Sequence, residues 1–165
     1  QRIRCTVMAS VMTYAPNDVK LQIEDYTIPG IVSMQLEWRV PPFRIVDGIR
    51  GITSRVRNYN ASAILTVEVL QTSVANDLLS QLVELDISTG QARVTAKLTD
   101  LSGSLSLQSD QSFVMIRSDI GLSSSFNNRT WQIAMLDVYH ADIMGNSLSA
   151  KSIFDAGSKF LDQYL

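Results

Sequence analysis

Apolar and polar positions alternate with a period of two over most of this chain. Val19, Leu21 and Ile23 interleave with Lys20, Gln22 and Glu24. Val32, Met34, Leu36, Trp38 and Val40 interleave with Ser33, Gln35, Glu37 and Arg39, and Ala63, Leu65, Val67 and Val69 with Ser62, Thr66 and Glu68. Ala92, Val94, Ala96 and Leu98 alternate with Arg93, Thr95 and Lys97. Leu105 and Leu107 open a further strand, residues 113–116 continue one, and residues 130–144 carry the last through Trp131, Ile133, Met135 and Tyr139. Residues 1–12 alternate more weakly and predict a first strand. Such alternation predicts half-buried strands with one wet face. Pro16-Asn17, Pro29-Gly30, Pro41-Pro42 and Gly145-Asn146 mark the turns between them.

Two stretches have a helical period instead. In 72–90, Val74, Leu78, Leu82 and Leu85 recur at spacings of four, four and three, predicting one apolar stripe. Thr72 or Ser73 suits the N-cap, Asp77 favours the positive end of the helix dipole, and Gly90 suits a left-handed stop. Leu78, Leu82 and Leu85 are expected to pack on the sheet, with Gln81 and Glu84 outside. Residues 149–165 predict a terminal amphipathic helix on Ile153, Phe154, Phe160, Leu161 and Tyr164.

Residues 41–60 have no clean period. They carry Arg44, Arg50, Arg55 and Arg57 against Asp47, together with Phe43, Ile45, Val46, Ile49, Ile52 and Val56. The apolar content argues against disorder, so the stretch reads as a long loop or projecting hairpin that asks for a partner surface. The fold class expected is α+β: antiparallel sheets forming a barrel or sandwich, with a flanking helix and a C-terminal helix, in one domain spanning 1–165.

Composition adds mainly exclusions. The 165 residues are 45% hydrophobic and 18% charged, with a net charge of −2, so no overall basic field exists to hold nucleic acid. One Cys, Cys5, excludes an intrachain disulfide and reads as a small buried hydrophobe. One His, His140, with one Cys excludes the usual Cys/His zinc sites by count. Neither a dinucleotide fingerprint nor a phosphate-binding glycine loop nor a nucleophile elbow appears. Asp110, Asp119, Asp137 and Asp142 lie around strand ends and read as solvated turn carboxylates. No catalytic, cofactor-binding, metal-binding or small-molecule substrate site is therefore expected. No apolar run approaches the ~20 residues of a membrane span. The chain begins at Gln1 rather than Met, which fits an initiator or short leader removed or left out. The Arg set of 41–60 fits a protein interface better than nucleic acid, because Arg is enriched in interfaces and no array of stacking aromatics accompanies it.

The order of these pieces resembles the tail tube proteins of long-tailed bacteriophages. The residues that carry the resemblance are Val69, Leu70, Gln71, Thr72 and Ser73 leading into the helix with Asn76 and Leu79, then Asp100, Leu101, Ser102 and Gly103. Arg57-Asn58, Phe126, Asn127 and Asn128, and the run Arg129, Thr130, Trp131, Gln132, Ile133 add to it, so that the likeness spans roughly 18–146. It implies a non-enzymatic structural subunit of the virion tail, assembled in the host cytoplasm. Such subunits form stacked hexameric rings whose strands join into a ring-shaped β-barrel, with the helix outside. The implied partners are further copies of the chain, the tape-measure protein, a sheath protein where the tail is contractile, and genomic DNA passing without specific binding.

On that reading, residues 41–60 reach a neighbouring subunit and set Arg44, Arg50, Arg55 and Arg57 against acidic groups there. The lumen takes the polar faces Ser33, Gln35 and Glu37 and Ser62, Thr66 and Glu68. Arg39 falls at a rim, and the alternation alone does not decide where Arg93 and Lys97 lie. Two alternatives stand beside it: a secretion-system or bacteriocin tube subunit and, from another class, a monomeric β-barrel binding a small ligand inside.

Overall fold

The computed structural model describes residues 14–101 and 105–142. The expected strand at 1–12 with Cys5, the centre of the 100–103 turn, the side chain of His140 and the terminal helix at 149–165 lie outside these residues.

Among the described residues, ten strands and one α-helix follow a short 3-10 turn at Pro16–Asp18. The strands are β1 Val19–Ile23, β2 Tyr26–Thr27, β3 Ile31–Trp38, β4 Phe43–Asp47 and β5 Thr53–Arg57. After them come β6 Ala63–Val69, the helix α1 Ala75–Thr89, β7 Val94–Asp100, β8 Ser106–Ile116, β9 Arg129–Leu136 and β10 Tyr139–Asp142. One antiparallel sheet runs β2-β1-β7-β8-β9-β6-β3, with β10 also on β8. The strand expected over 130–144 is interrupted: Asp137 has a positive φ of 50°, and the Val138 N–H bonds the Ala61 carbonyl. Beyond that break β10 rejoins the edge of β8 that β9 has left.

The expected barrel is not found within one chain, because β2 and β3 are the two ends of the sheet order and do not pair. The sheet instead curls. Val19 and Leu98 from one side and Met34, Leu36 and Trp38 from the other line a shared apolar trough of about 320 Å³. Below it lies a single core of Leu21, Ile23, Leu65, Val67, Leu98, Leu107, Ile133 and Met135, completed by α1.

The helix is rotated from the expected stripe: Leu78 and Leu82 do pack against the core, but at its margin. Its buried side chains are Ala75, Leu79 and Val83, spaced i, i+4, i+8. Leu78 and Leu82 are only half-buried on its flank, and Leu85 is 52% exposed. The two stripes differ by one residue, or about 100° of rotation. Asn76 accounts for the choice. Its Nδ2 donates to the carbonyls of Leu70, Gln71 and Ser73 at 2.9, 3.2 and 3.2 Å, and its Oδ1 accepts from the Trp131 indole N–H at 3.0 Å. Those bonds turn Asn76, and the stripe beside it, toward β9.

The cap differs too. Val74 holds the N-cap position without a side-chain bond, while the Ser73 hydroxyl, one residue earlier, accepts the Ala75 N–H and donates to the Pro29 carbonyl at 2.6 Å. Gly30 makes that contact possible. Its φ is +72°, and a Cβ there would sit 2.9 Å from the Ser73 side chain. At the other end Gly90 stops α1 in the left-handed conformation expected of it.

Candidate functional site

Three surfaces are built by this fold, and the first is the solvent face of the sheet. Paired residues of an antiparallel ladder share a face, so the register assigns them. Ser33 opposes Glu68, Gln35 opposes Thr66 and Glu37 opposes Ile64. Glu68 and Thr66 in turn oppose Thr130 and Gln132 on β9. On the other half of the sheet, Lys20 opposes Thr99, Gln22 opposes Lys97, and Lys97 opposes Gln108. The solvent face thus has two polar flanks, with the core and α1 behind it; between them β8 and β9 set Phe113 and Ala134, next to Ile64, and Leu136 opposite Gln111, an apolar strip.

This face holds Glu37, Glu68 and Asp110 against Lys20 and Lys97, a slight acidic excess. Glu68 is fixed by the Ser33 hydroxyl at 3.0 Å and by Asn128 Nδ2 at 2.8 Å. Asp110 accepts Thr95 Oγ1 at 3.3 Å and the Tyr139 phenol at 2.9 and 3.0 Å. Partial burial, with the hydrogen bond to Asp110 and its negative charge, raises the Tyr139 pKa above the ordinary 10.0. Ser62, the remaining candidate for this face, is buried and bonded to Asn60 Oδ1 at 2.5 Å. Its place just before β6 removes it from the alternation that puts Thr66 and Glu68 outside. Arg93 also lies off the strands, just before β7, bonded to Gln111 Oε1 at 3.2 Å.

The second surface is the 41–60 stretch, which forms the projecting hairpin β4–β5 as a separate two-stranded sheet. Every residue of both strands is exposed. Ile49 and Ile52 at the tip and Ile45 on β4 stand out in solvent. Arg55 stacks on Phe43 at 4.5 Å and Arg57 on Tyr59 at 4.7 Å, which holds both guanidiniums out flat. Among the described residues none of Arg44, Arg50, Arg55 and Arg57 makes an ion pair. The arginine and apolar pattern marks this element in the sequence, whereas the stacking depends on the hairpin's geometry.

The third surface is the outer side of α1, where Leu85, expected to pack on the sheet, stands in solvent. Val74 and Leu85 are 60% and 52% exposed there, with Asp77 and Glu84 beside them. Glu84 meets Arg117 at 3.5 Å, a pair with both side chains more than half in water and so of little energetic weight. A polar cleft of about 480 Å³ opens between this end of α1 and the segment after β8, lined by Gln71, Ser73, Asp77, Arg117 and Arg129. Among the described residues no cluster of His, Cys, Asp or Glu is placed to hold a metal, and no helix is long and apolar enough to cross a membrane.

No protein-family model matches the chain. Structural protein ORF10 of Pseudomonas phage KPP10 is 31% identical over 134 residues, covering 74% of this chain and 78% of that protein. The chain belongs to this family of phage structural proteins. The cap of the anti-feeding prophage, described as its tube-terminating cap, aligns with a TM-score of 0.52 at 10% identity, over 84% of this chain and 97% of that one. The sheath–tube complex of an extracellular contractile injection system aligns at 0.48 with 12% identity, over 81% and 90% of the two chains, a likeness too weak to bear on the fold.

Proposed function

We propose that this phage structural protein is a self-assembling subunit of the tail tube, forming stacked rings, six subunits to a ring, that enclose a conduit for DNA. The observation that carries the reading is the solvent face of the sheet, polar on both flanks and backed by core and helix. A tube wall requires that arrangement: wet toward the lumen, packed behind. Curling with two edges that are unpaired among the described residues fits a sheet completed by its neighbours, since a free edge in one chain is a template for the next. Closing the ring joins the short sheets into one barrel around the axis.

Ser33, Gln35, Glu37, Thr66 and Glu68 line the lumen on this reading, and Lys97 shares that face with them. Two lysines against three carboxylates leave the wall without a net phosphate-binding charge, so DNA slides. The hairpin reaches a subunit of the next ring, where its arginines find carboxylates. The tape-measure protein fills the lumen before DNA does, and a sheath surrounds the tube where the tail is contractile.

A second reading follows from the tube-terminating cap whose fold this chain shares: a terminator ring at the tube end rather than the repeating subunit. Electron microscopy of the purified chain tests both. Tube subunits give long filaments, terminators give single rings, and a ligand-binding monomer stays near 18.3 kDa in solution. Deleting residues 44–57 should leave a folded subunit that no longer stacks. Long tubes from that deletion would remove the hairpin from the assembly contact.

A further inference from the structure

The hairpin has a charge and a shape that the rest of the chain answers in one place. Four Arg and one Asp give residues 41–60 a charge of +3, leaving −5 for the remainder of a chain whose net is −2. The helix α1 holds Asp77, Glu84 and Asp86 with no Lys or Arg, a charge of −3. Of these carboxylates, Glu84 meets Arg117 at 3.5 Å in solvent. The outer side of α1 also bears two exposed apolar side chains, Val74 and Leu85, in line with Leu78, which is half-buried against the core.

We propose that the outer flank of α1 is the docking surface for the β4–β5 hairpin of a second copy of the chain. The proposal deepens the tube-subunit reading and rests on it. Lengths agree. Val74 to Leu85 spans about 17 Å at 1.5 Å per residue, and each five-residue hairpin strand spans about 17 Å. The chemistry agrees as well. Ile45, Ile49 and Ile52 supply apolar contact for Val74 and Leu85. Arg55 and Arg57 share one hairpin face with Phe43 and Ile45, and their stacking holds two planar forks ready for the Asp77 and Glu84 carboxylates. Arg117 would then give up its exposed pairing with Glu84, at little cost. The contact is heterologous, hairpin to helix. It leaves a free hairpin on one side and a free helix on the other, so it propagates along a stack.

Charge reversal tests this. One variant carries Asp77→Lys and Glu84→Lys; a second carries Arg55→Glu and Arg57→Glu. Circular dichroism establishes that each is folded, and sedimentation with electron microscopy follows assembly. Each variant alone should need at least about tenfold more protein than wild type to assemble, the effect of losing about 1.4 kcal/mol of contact. Mixed in equal amounts they should assemble near the wild-type concentration, because each hairpin then meets a helix of opposite charge. Normal assembly of the helix variant beside failure of the hairpin variant would overturn this docking surface while leaving the tube reading intact. A wild-type chain that never assembles would overturn the tube reading and this proposal with it. Should the helix variant not fold, Ile49→Cys and Leu85→Cys in a Cys5→Ser background give the same answer. Oxidation should yield a ladder of linked copies, and monomer alone would refute the contact.

Discussion

Replacing Leu79 and Leu85 by Ala, one at a time, separates the two possible rotations of α1. Leu79 is 1% exposed and sits in the core cluster, whereas Leu85 is 52% exposed. Leu→Ala removes the equivalent of about three methylenes, or ~2.4 kcal/mol of transfer free energy at ~0.8 kcal/mol each. At Leu79 a cavity adds to that, and measured cases of this kind fall at about 2–5 kcal/mol. At Leu85 roughly half the side chain is already in water and no cavity forms, so the cost should be about 1 kcal/mol or less. Urea unfolding of the unassembled subunit reads the difference. Far-ultraviolet circular dichroism follows α1, and fluorescence follows Trp131, whose indole bonds Asn76. The midpoint should shift at constant m-value for both variants, several times further for Leu79→Ala. Equal losses, or a larger loss at Leu85, would mean that α1 is turned by about one residue and would remove the exposed apolar side chains on which hairpin docking depends.

Three further outcomes are expected. Asn76→Asp should cost about 2–3 kcal/mol, since a carboxylate cannot donate to the carbonyls of Leu70, Gln71 and Ser73; a double-mutant cycle with Trp131→Phe should be non-additive, and additivity would show that the indole bond does not couple the helix to β9. Glu37→Lys with Glu68→Lys should permit assembly but slow DNA release, most at low salt where phosphate attraction is strongest; unchanged release at low salt counts against a lumen lined by this face. Tyr139, its pKa raised above 10.0, stabilises the fold below its unfolded pKa and loses that contribution as pH rises through the folded value. Alkaline unfolding should therefore be less steep in Tyr139→Phe, and an identical alkaline limb would show that the phenol's partners contribute nothing.

Most elements were legible from local pattern. The strands at β1, β3, β6 and β7 were read from alternation because each has a core behind and water in front, and a period of two records that difference directly. The helix and its glycine stop were legible for the same kind of reason. The arginine-rich stretch was recognisable as an exposed element because its apolar residues lacked any period that a single core would impose.

The rotation of α1 was not legible. Val74, Leu78, Leu82 and Leu85 and the neighbouring Ala75, Leu79 and Val83 make an apolar arc wide enough to hold two stripes. Periodicity finds the arc, but only long-range bonds choose its centre, and the one that did so joins residues 55 positions apart, Asn76 to Trp131. Ser62 was misplaced because alternation was carried one step past the start of β6, into a turn where the Asn60 amide side chain takes its hydroxyl.

Which charges share a face was equally a tertiary decision. Lys97 joins Glu37 and Glu68 only because strand order β7-β8-β9-β6-β3 lays them on one sheet, and strand order is not a local property. The chain by itself therefore determined where it is wet and where it is apolar, because burial imposes a period on neighbouring residues. The tertiary structure alone decided which wet surfaces are continuous and which apolar side chains remain uncovered, because those depend on pairings between residues far apart in the chain.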